Sequence, residues 1–296
     1  MRGARGVTVM TSGGQRFVKM HGLGNDFVVL DAMAGTPDLA PERIRRLADR
    51  HFGIGCDQVL VVLPSTEPGI DFGYRIFNAD GREVQQCGNG ARCFARYVRD
   101  EGLSAKETLT VRTMGGVITL TLQDDGDVVV NMGHVRWDPS AVPFVAEHEQ
   151  RQYALDIGGR SVDVSVLSLG NPHAVQVVAD VERAAVAVEG PLIERHARFP
   201  EGVNVGFMQI IDRRTIRLRV HERGAGETLA CGSGACAAVV AGRERGLLDD
   251  EVQVHLRGGR LYVRYDGAGP VWMRGPAQRV YEGRLSEQGW GRETVE

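Results

Sequence analysis

Residues 87–91 read Cys-Gly-Asn-Gly-Ala, and residues 231–235 read Cys-Gly-Ser-Gly-Ala. Each leads into a helix-prone stretch, Arg92–Asp100 and Cys236–Arg245. The start of a helix carries unpaired backbone N–H groups and a partial positive charge. Glycines there let the backbone approach a bound group, so such a loop is a natural cradle for a carboxylate or phosphate. A cysteine at that position has its thiolate favoured, with documented pKa values of about 3.5–7.5. One such loop reads as plainly as a glycine turn with an inert cysteine. Two matched loops do not, and a lone cysteine nucleophile leaves the second one unexplained. Gly232-Ser-Gly-Ala-Cys-Ala237 also fits a dinucleotide fingerprint, but Asp249 and Asp250 precede the next strand, where the fingerprint wants an acid at its end.

Working outward, the two halves overlay. Leu23-Gly-Asn25 matches Leu169-Gly-Asn171 and Gln58 matches Asn204, both at an offset of 146. Asn78 matches Glu222, and the two cysteine loops match each other, at 144. Four matches in one order point to a duplicated domain. Alternating or apolar runs predict strands at 17–19, 27–30, 59–63, 72–77, 108–113, 117–122 and 127–132 in the first half. The second half repeats them at 161–168, 174–178, 203–211, 215–221, 252–256, 261–265 and 271–274. Helices are expected at Pro41–Arg50, after each cysteine loop, and over Val181–Arg198 with a break near Gly190-Pro191. A composition change around 133–141 sets the division: 1–133 as an N-terminal domain with 1–15 a loose extension, 134–276 as its repeat, and 277–296 returning to the first domain and ending in a tail.

Composition narrows the function. The chain has 296 residues, two domains' worth, and a net charge of −3, which implies no broad attraction to nucleic acid or membrane. No segment approaches the roughly 20 apolar residues of a membrane span. The start has no apolar core of a secretory signal, and five cysteines without C-x-x-C spacing argue against a disulfide scaffold. These point to a reducing compartment. On helices, Cys87/Cys93 and Cys231/Cys236 fall on different faces, which disfavours a shared metal. His221-Glu222 fails the H-E-x-x-H motif because residue 225 is Ala. Of 35 basic residues 33 are arginine, so only Lys19 and Lys106 could form a Schiff base, and both read as surface or strand residues. Cys56, Cys93 and Cys236 read as packing residues, and Asp80 and Glu83 as turn residues, with Arg92 a candidate partner for one of them.

Two thiols on opposite sides of one carbon suit stereochemical inversion. One thiolate removes the α-proton and the opposite thiol delivers one to the other face. A carboxylate between two helix starts then meets N–H donors on both sides as enediolate charge develops. No cofactor is needed, and the thiols titrate as a coupled pair.

At this point the residues resemble the diaminopimelate epimerase family. The matching stretches are Lys19-Met-His-Gly-Leu-Gly-Asn-Asp-Phe27, Gly53-Ile-Gly-Cys-Asp-Gln58, Phe77-Asn-Ala-Asp-Gly81 and Gln86-Cys-Gly-Asn-Gly-Ala-Arg92. They continue with Gly170-Asn-Pro-His173, Gly202-Val-Asn204, Glu222-Arg-Gly-Ala-Gly-Glu-Thr228, Ala230-Cys-Gly-Ser-Gly-Ala235 and Gly275-Pro-Ala277. The resemblance implies an α+β fold of two pseudo-symmetric domains. Each is a mostly antiparallel sheet or barrel round a central helix, with the active site in the cleft between them. It implies a pyridoxal-independent and metal-independent isomerase converting LL- to meso-diaminopimelate, cytoplasmic and homodimeric. Cys87 and Cys231 take the acid/base roles, and backbone N–H groups of Gly88, Asn89, Gly232 and Ser233 hold the reacting carboxylate. Asn25, Gln58, Asn78, Asn171, Asn204, Glu222 and Arg223 bind the amino groups and distal carboxylate, and His173 supports a thiol. Two alternatives stay open: a proline-racemase-like epimerase of a cyclic imino acid, against which the Asn/Glu/Arg set argues, and a non-catalytic amino-acid-binding module, which would need neither cysteine.

Overall fold

A computed structural model describes residues 14–85 and 87–285. The expected loose extension up to residue 13 and the tail from 286 lie outside the described residues. The first half runs β1 (Arg16–Gly22), β2 (Asn25–Asp31), α1 (Pro41–Ala48), β3 (Gln58–Pro64), β4 (Phe72–Asn78), β5 (Glu83–Val84), α2 (Gly88–Asp100), β6 (Thr108–Thr113), β7 (Gly116–Leu122) and β8 (Val128–Asn131). After a 3-10 turn at Pro139–Ala141 come β9 (Tyr153–Asp156), β10 (Ser161–Ser168), β11 (Pro172–Val177), α3 (Val186–Glu194), β12 (Asn204–Asp212), β13 (Thr215–Glu222), β14 (Gly226–Thr228), α4 (Gly232–Glu244), β15 (Glu251–Leu256), β16 (Gly259–Arg264), β17 (Trp272–Gly275) and β18 (Gln278–Arg284). The result is an α+β, sheet-dominated fold with few helices.

The sequence overlay is a register. In the first half β2 runs parallel to β3 with Phe27 opposite Gln58, and β3 runs antiparallel to β4 with Gln58 opposite Asn78. In the second half β11 runs parallel to β12 with His173 opposite Asn204, and β12 runs antiparallel to β13 with Val205 opposite His221. The short pairs β4–β5 and β13–β14 repeat as well. So do the parallel pairs β4–β6 and β13–β15. Strand β8 pairs antiparallel with β17, Asn131 opposite Trp272, and joins the halves into one sheet. Strand β18 lies antiparallel to β1, with Phe17 opposite Gly283.

The central helices follow from composition. In α4 every residue from Gly234 to Gly242 is buried, a run of Ala, Val, Gly and Cys small enough to be enclosed by strands. A helix apolar all round belongs inside. Helix α2 is buried likewise from Asn89 to Ala95. Both share one core with strands from both halves, while smaller clusters sit under α1 and α3.

Two local expectations need correction. Both central helices start at the first loop glycine, Gly88 and Gly232, rather than at Arg92 and Cys236, because each cysteine is itself the N-cap. Helix α3 is not broken at Gly190-Pro191. It runs through Pro191 with one N–H lost, and Gly190 lets it lie against His221, where an added Cβ would fall 2.6 Å from the ring.

One turn fastens the halves together. Between β1 and β2, Leu23 is left-handed (φ 58°) and buried, and Gly24 follows at φ 87°. A Cβ on Gly24 would meet Leu229 at 2.7 Å, and one on Gly258 would meet the Leu23 carbonyl oxygen at 1.9 Å. The chain thus delivers Asn25, the next residue, to the seam between the halves.

Candidate active site

The seam brings the two cysteine loops together. A Cβ on Gly88 would fall 2.8 Å from the Met273 methyl, and one on Gly232 would fall 3.0 Å from the Met273 sulfur and 3.5 Å from Asn89 Oδ1. Two helix starts therefore converge on one methionine of β17. Cys87 donates its thiol to Asn25 Oδ1 at 3.6 Å. The Cys231 sulfur accepts from Gly234 N at 3.3 Å and lies 3.6 Å from the Ser233 hydroxyl.

Burial pushes both thiols up from their ordinary range. For Cys87 the N–H groups of Gly90 and Asn89 and the charge of Arg92 oppose this, while Glu222 adds to it. For Cys231 burial and then Glu222 raise the thiol, and Ser233 and Gly234 oppose. The expectation that a helix start alone favours the thiolate is corrected: the N–H donors act in that direction, but desolvation is larger. Cys56, Cys93 and Cys236 are buried and pushed up to about 12.

The remaining expected residues fall into three groups. Around Cys87, Asn25 Nδ2 donates to Asp57 Oδ2 at 3.0 Å. Gln58 Nε2 donates to Asn78 Oδ1 at 2.8 Å, and Gln58 Oε1 is buried with no hydrogen-bond partner among the described residues. Around Cys231, His173 Nε2 meets Asn171 Oδ1 at 3.0 Å, and Asn171 Nδ2 donates to Ser233 at 3.2 Å. His173 thus reaches the thiol only through Asn171 and Ser233. Burial and the charge of Arg223 lower its pKa to about 3, so it is neutral at physiological pH. Glu222 faces Cys231 and accepts from Thr228 at 2.5 Å, and burial raises its carboxyl. In the third group, buried Asn204 spends its amide on backbone, donating to Pro172 O at 2.9 Å and accepting from Arg223 N at 3.0 Å. Arg223 is exposed, with Nη1 donating to Glu201 O at 3.0 Å.

Sequence reasoning missed the supports. Lys19, expected as a surface or strand residue, is in β1 but buried, 2.6 Å from Asp26 and donating to the Gly55 carbonyl. Arg50 bonds both Asp26 and Asp57, and Asp57 in turn holds Asn25. Burial works against the Asp26 anion, but Arg50 and Lys19 hold its carboxyl well below the usual range. Glu194 accepts from Gly224 N at 2.8 Å and meets His221 at 2.7 Å, bracing the turn that carries Glu222 and Arg223. Arg92 pairs with neither Asp80 nor Glu83, which are taken by Arg82 and Arg75. Its guanidinium instead donates to Asn89 Oδ1 at 2.8 Å. Lys19, Asp26, Asp57 and Arg92 carry a sequence signal in their place inside the quoted motifs, whereas Arg50 and Glu194 lie outside every one of them. Among the described residues, no three of His, Cys, Asp and Glu are grouped as metal ligands would be.

A family model described as diaminopimelate epimerase matches residues 17–137 and 165–280. The chain belongs to the diaminopimelate epimerase family. The matched spans contain both cysteine loops and every residue assigned above to the site. A diaminopimelate epimerase of Nitrosospira multiformis is 55% identical over 274 residues, covering 92% of this chain and 99% of the relative. One from Aromatoleum aromaticum is 59% identical over 271 residues, covering 91% and 98%. Solved structures extend the fold beyond the diaminopimelate epimerase family. A hydroxyproline epimerase from Agrobacterium vitis superposes with a TM-score of 0.67 at 17% identity, over 94% of each chain. A methylitaconate-delta-isomerase does so with 0.63 at 14%, over 95% of this chain and 98% of its own.

Proposed function

We propose that this protein is a cofactor-independent isomerase interconverting LL- and meso-diaminopimelate by proton transfer at one α-carbon between Cys87 and Cys231. One observation carries the reading: in a chain of this family, two register-equivalent helices are each N-capped by a cysteine, and their first turns converge on Met273. The α-carboxylate sits between the N–H groups of Gly88 and Asn89 and those of Gly232 and Ser233. Donors on both sides stabilise the enediolate, where charge develops in the transition state. In the active form the pair shares one proton, one cysteine a thiolate and the other a thiol, and the two titrate as a coupled pair. Asn25 Oδ1 accepts a hydrogen bond from the Cys87 thiol and orients it, and Ser233 with Asn171 and His173 orients Cys231.

The orphaned Gln58 Oε1 supports an ammonium site, because a buried acceptor without a partner is costly until a donor arrives. Glu222 serves the ammonium beside Cys231, and Arg223 takes the distal carboxylate through its exposed fork. A cyclic imino acid has no second amino-acid end for this set. No helix among the described residues is long and apolar enough to cross a membrane. The composition and the family support a cytoplasmic homodimer with a small-molecule substrate, working without pyridoxal or metal, in lysine and cell-wall precursor synthesis. Within one chain we place the division at 133/134 and 276/277, with the last segment returning to the first domain. The test is turnover of LL-diaminopimelate in heavy water with a chiral product assay. Deuterium at the inverted α-carbon, undiminished without added pyridoxal phosphate, is expected. Inversion without solvent deuterium would refute the two-thiol route.

A further inference from the structure

The two cysteine loops reach a hydroxyl by different routes. Ser233 lies in the second loop, 3.6 Å from the Cys231 sulfur, and a hydroxyl there serves either protonation state because it can donate or accept. The first loop has Asn89 at that position. Cys87 is bonded to Asn25 Oδ1, an amide oxygen that accepts from a thiol and has no proton to offer a thiolate, and the Asn25 amide N–H is spent on Asp57. The hydroxyl of the first half comes instead from β4. Tyr74 pairs with Val62 as Leu218 pairs with Met208, so the register-equivalent residue of the second half is a leucine. Tyr74 is 2% exposed, and its ring packs edge-on against Phe94 of α2 with centroids 5.5 Å apart. Its hydroxyl reaches the first turn of that helix, where a Cβ on Gly90 would fall 2.8 Å from it.

That hydroxyl has no hydrogen-bond partner among the described residues. Burial pushes the phenol well above its ordinary range, so it keeps its proton and stays a donor, with Cys87 close enough to act on it. A buried donor without a partner is costly, and Leu218 shows that the fold accepts an apolar residue at this register. The second loop shows what such a place can face. A Cβ on Gly234 would fall 3.2 Å from the Cys231 sulfur, which caps its helix by accepting from Gly234 N. The Cys87 side chain makes no such cap, because it is turned to Asn25. We propose that Tyr74 is a positioning residue that serves Cys87 as a thiolate: when the Cys87 S–H bond breaks and its proton forms the new C–H bond at the α-carbon, the sulfur keeps the electron pair, turns by one rotamer from Asn25 towards Gly90, and is met there by the Tyr74 hydroxyl. Tyr74 is then to Cys87 what Ser233 is to Cys231. The catalytic part of this rests on the two-thiol reading above. The pairing of Tyr74 with ionised Cys87 does not.

The test is Tyr74→Phe, which removes the hydroxyl and keeps the ring. Iodoacetamide labelling of the Cys87 peptide across pH, quantified by mass, reads ionisation without substrate, because only a thiolate alkylates readily. At a given pH, Tyr74→Phe shows roughly tenfold less Cys87 thiolate than the unmodified protein. Its kcat on LL-diaminopimelate falls by a similar factor with KM little changed. Its urea midpoint is no lower, since the lost hydroxyl had no partner. An unchanged Cys87 profile or an unchanged kcat would overturn the proposal, and a lowered urea midpoint would make the hydroxyl a structural bond instead. If circular dichroism shows Tyr74→Phe unfolded, a crystal structure of the unmodified protein above its Cys87 labelling midpoint decides: the sulfur must lie within hydrogen-bond distance of the Tyr74 hydroxyl, and a sulfur still on Asn25 refutes the pairing. Protein that passes the labelling or crystallographic arm but does not turn over LL-diaminopimelate sinks the functional reading instead.

Discussion

The two halves share a register but hold their cysteines differently. Cys87 is gripped directly by Asn25, and Asn25 is anchored by a charged lattice of Asp57, Arg50, Asp26 and Lys19. Cys231 is held by neutral groups in series, Ser233, Asn171 and His173, with one carboxylate, Glu222, facing it. Glu222 raises both thiols, and Cys87 alone of the two also feels the opposing charge of Arg92. A duplication with identical surroundings would leave the two thiols degenerate in ionisation. The divergence of their supports removes that degeneracy while the backbone cradle stays two-fold.

Removing either thiol tests the shared part of the design. Cys87→Ala and Cys231→Ala should each lower turnover by roughly 10³-fold or more with the fold intact by circular dichroism. Near-normal turnover in either would break the equivalence. The supports should then separate the halves. Asn25→Ala, which frees Cys87 directly, should cost about 10²-fold in kcat. Asn171→Ala, one step removed from Cys231, should cost roughly tenfold. Steady-state kinetics showing the reverse order would mean that the serial arrangement is the tighter one.

Stability should separate them further. Lys19→Met leaves Asp26 buried with Arg50 alone, and urea unfolding should show a loss of about 3 kcal/mol, at the low end for breaking a buried pair. An unchanged midpoint would show the lattice to be dispensable. The smallest effect is a pH dependence. His173 occupies the position that Phe27 holds in the first half, each beside its parallel partner strand. Its pKa is lowered from 6.5 to about 3 on folding, so below 6.5 the unfolded chain binds a proton that the folded one does not. Stability therefore falls as pH drops through that window, by about 0.7 kcal/mol from pH 7 to pH 6 from this residue. His173→Phe should flatten the slope by that amount in denaturant titrations at the two pH values, and an identical slope would remove His173 as its source.

Much of this organisation is visible in the chain because period and offset are local properties. Leu109, Val111 and Thr113 alternate inward along β6 and were readable as a strand. The Gln58/Asn204 match at one offset is the strand register itself. What escaped depends on contacts made far along the chain. Strand β9 is four residues long and exists by pairing with β10. Nothing around residue 92 reveals that its guanidinium ends on the carbonyl of Pro276. Nor does a helix start announce whether N–H donors or desolvation governs its thiol, since that balance is set by how deeply the halves enclose it.

The pairing of β1 with β18 also has a consequence for synthesis. Phe17 meets Gly283 across that ladder, so one edge of the first strand gains its partner only after the whole second half has been translated. The ladder from β9 to β17 runs between residues 153 and 275 and needs no such wait. Contacts of such long sequence separation form slowly, and an unpaired strand edge invites pairing with other chains meanwhile. The half made first is therefore finished last, and a ribosome stalled before Gln278 would present a nascent chain with an open sheet edge beside the Asn25 turn.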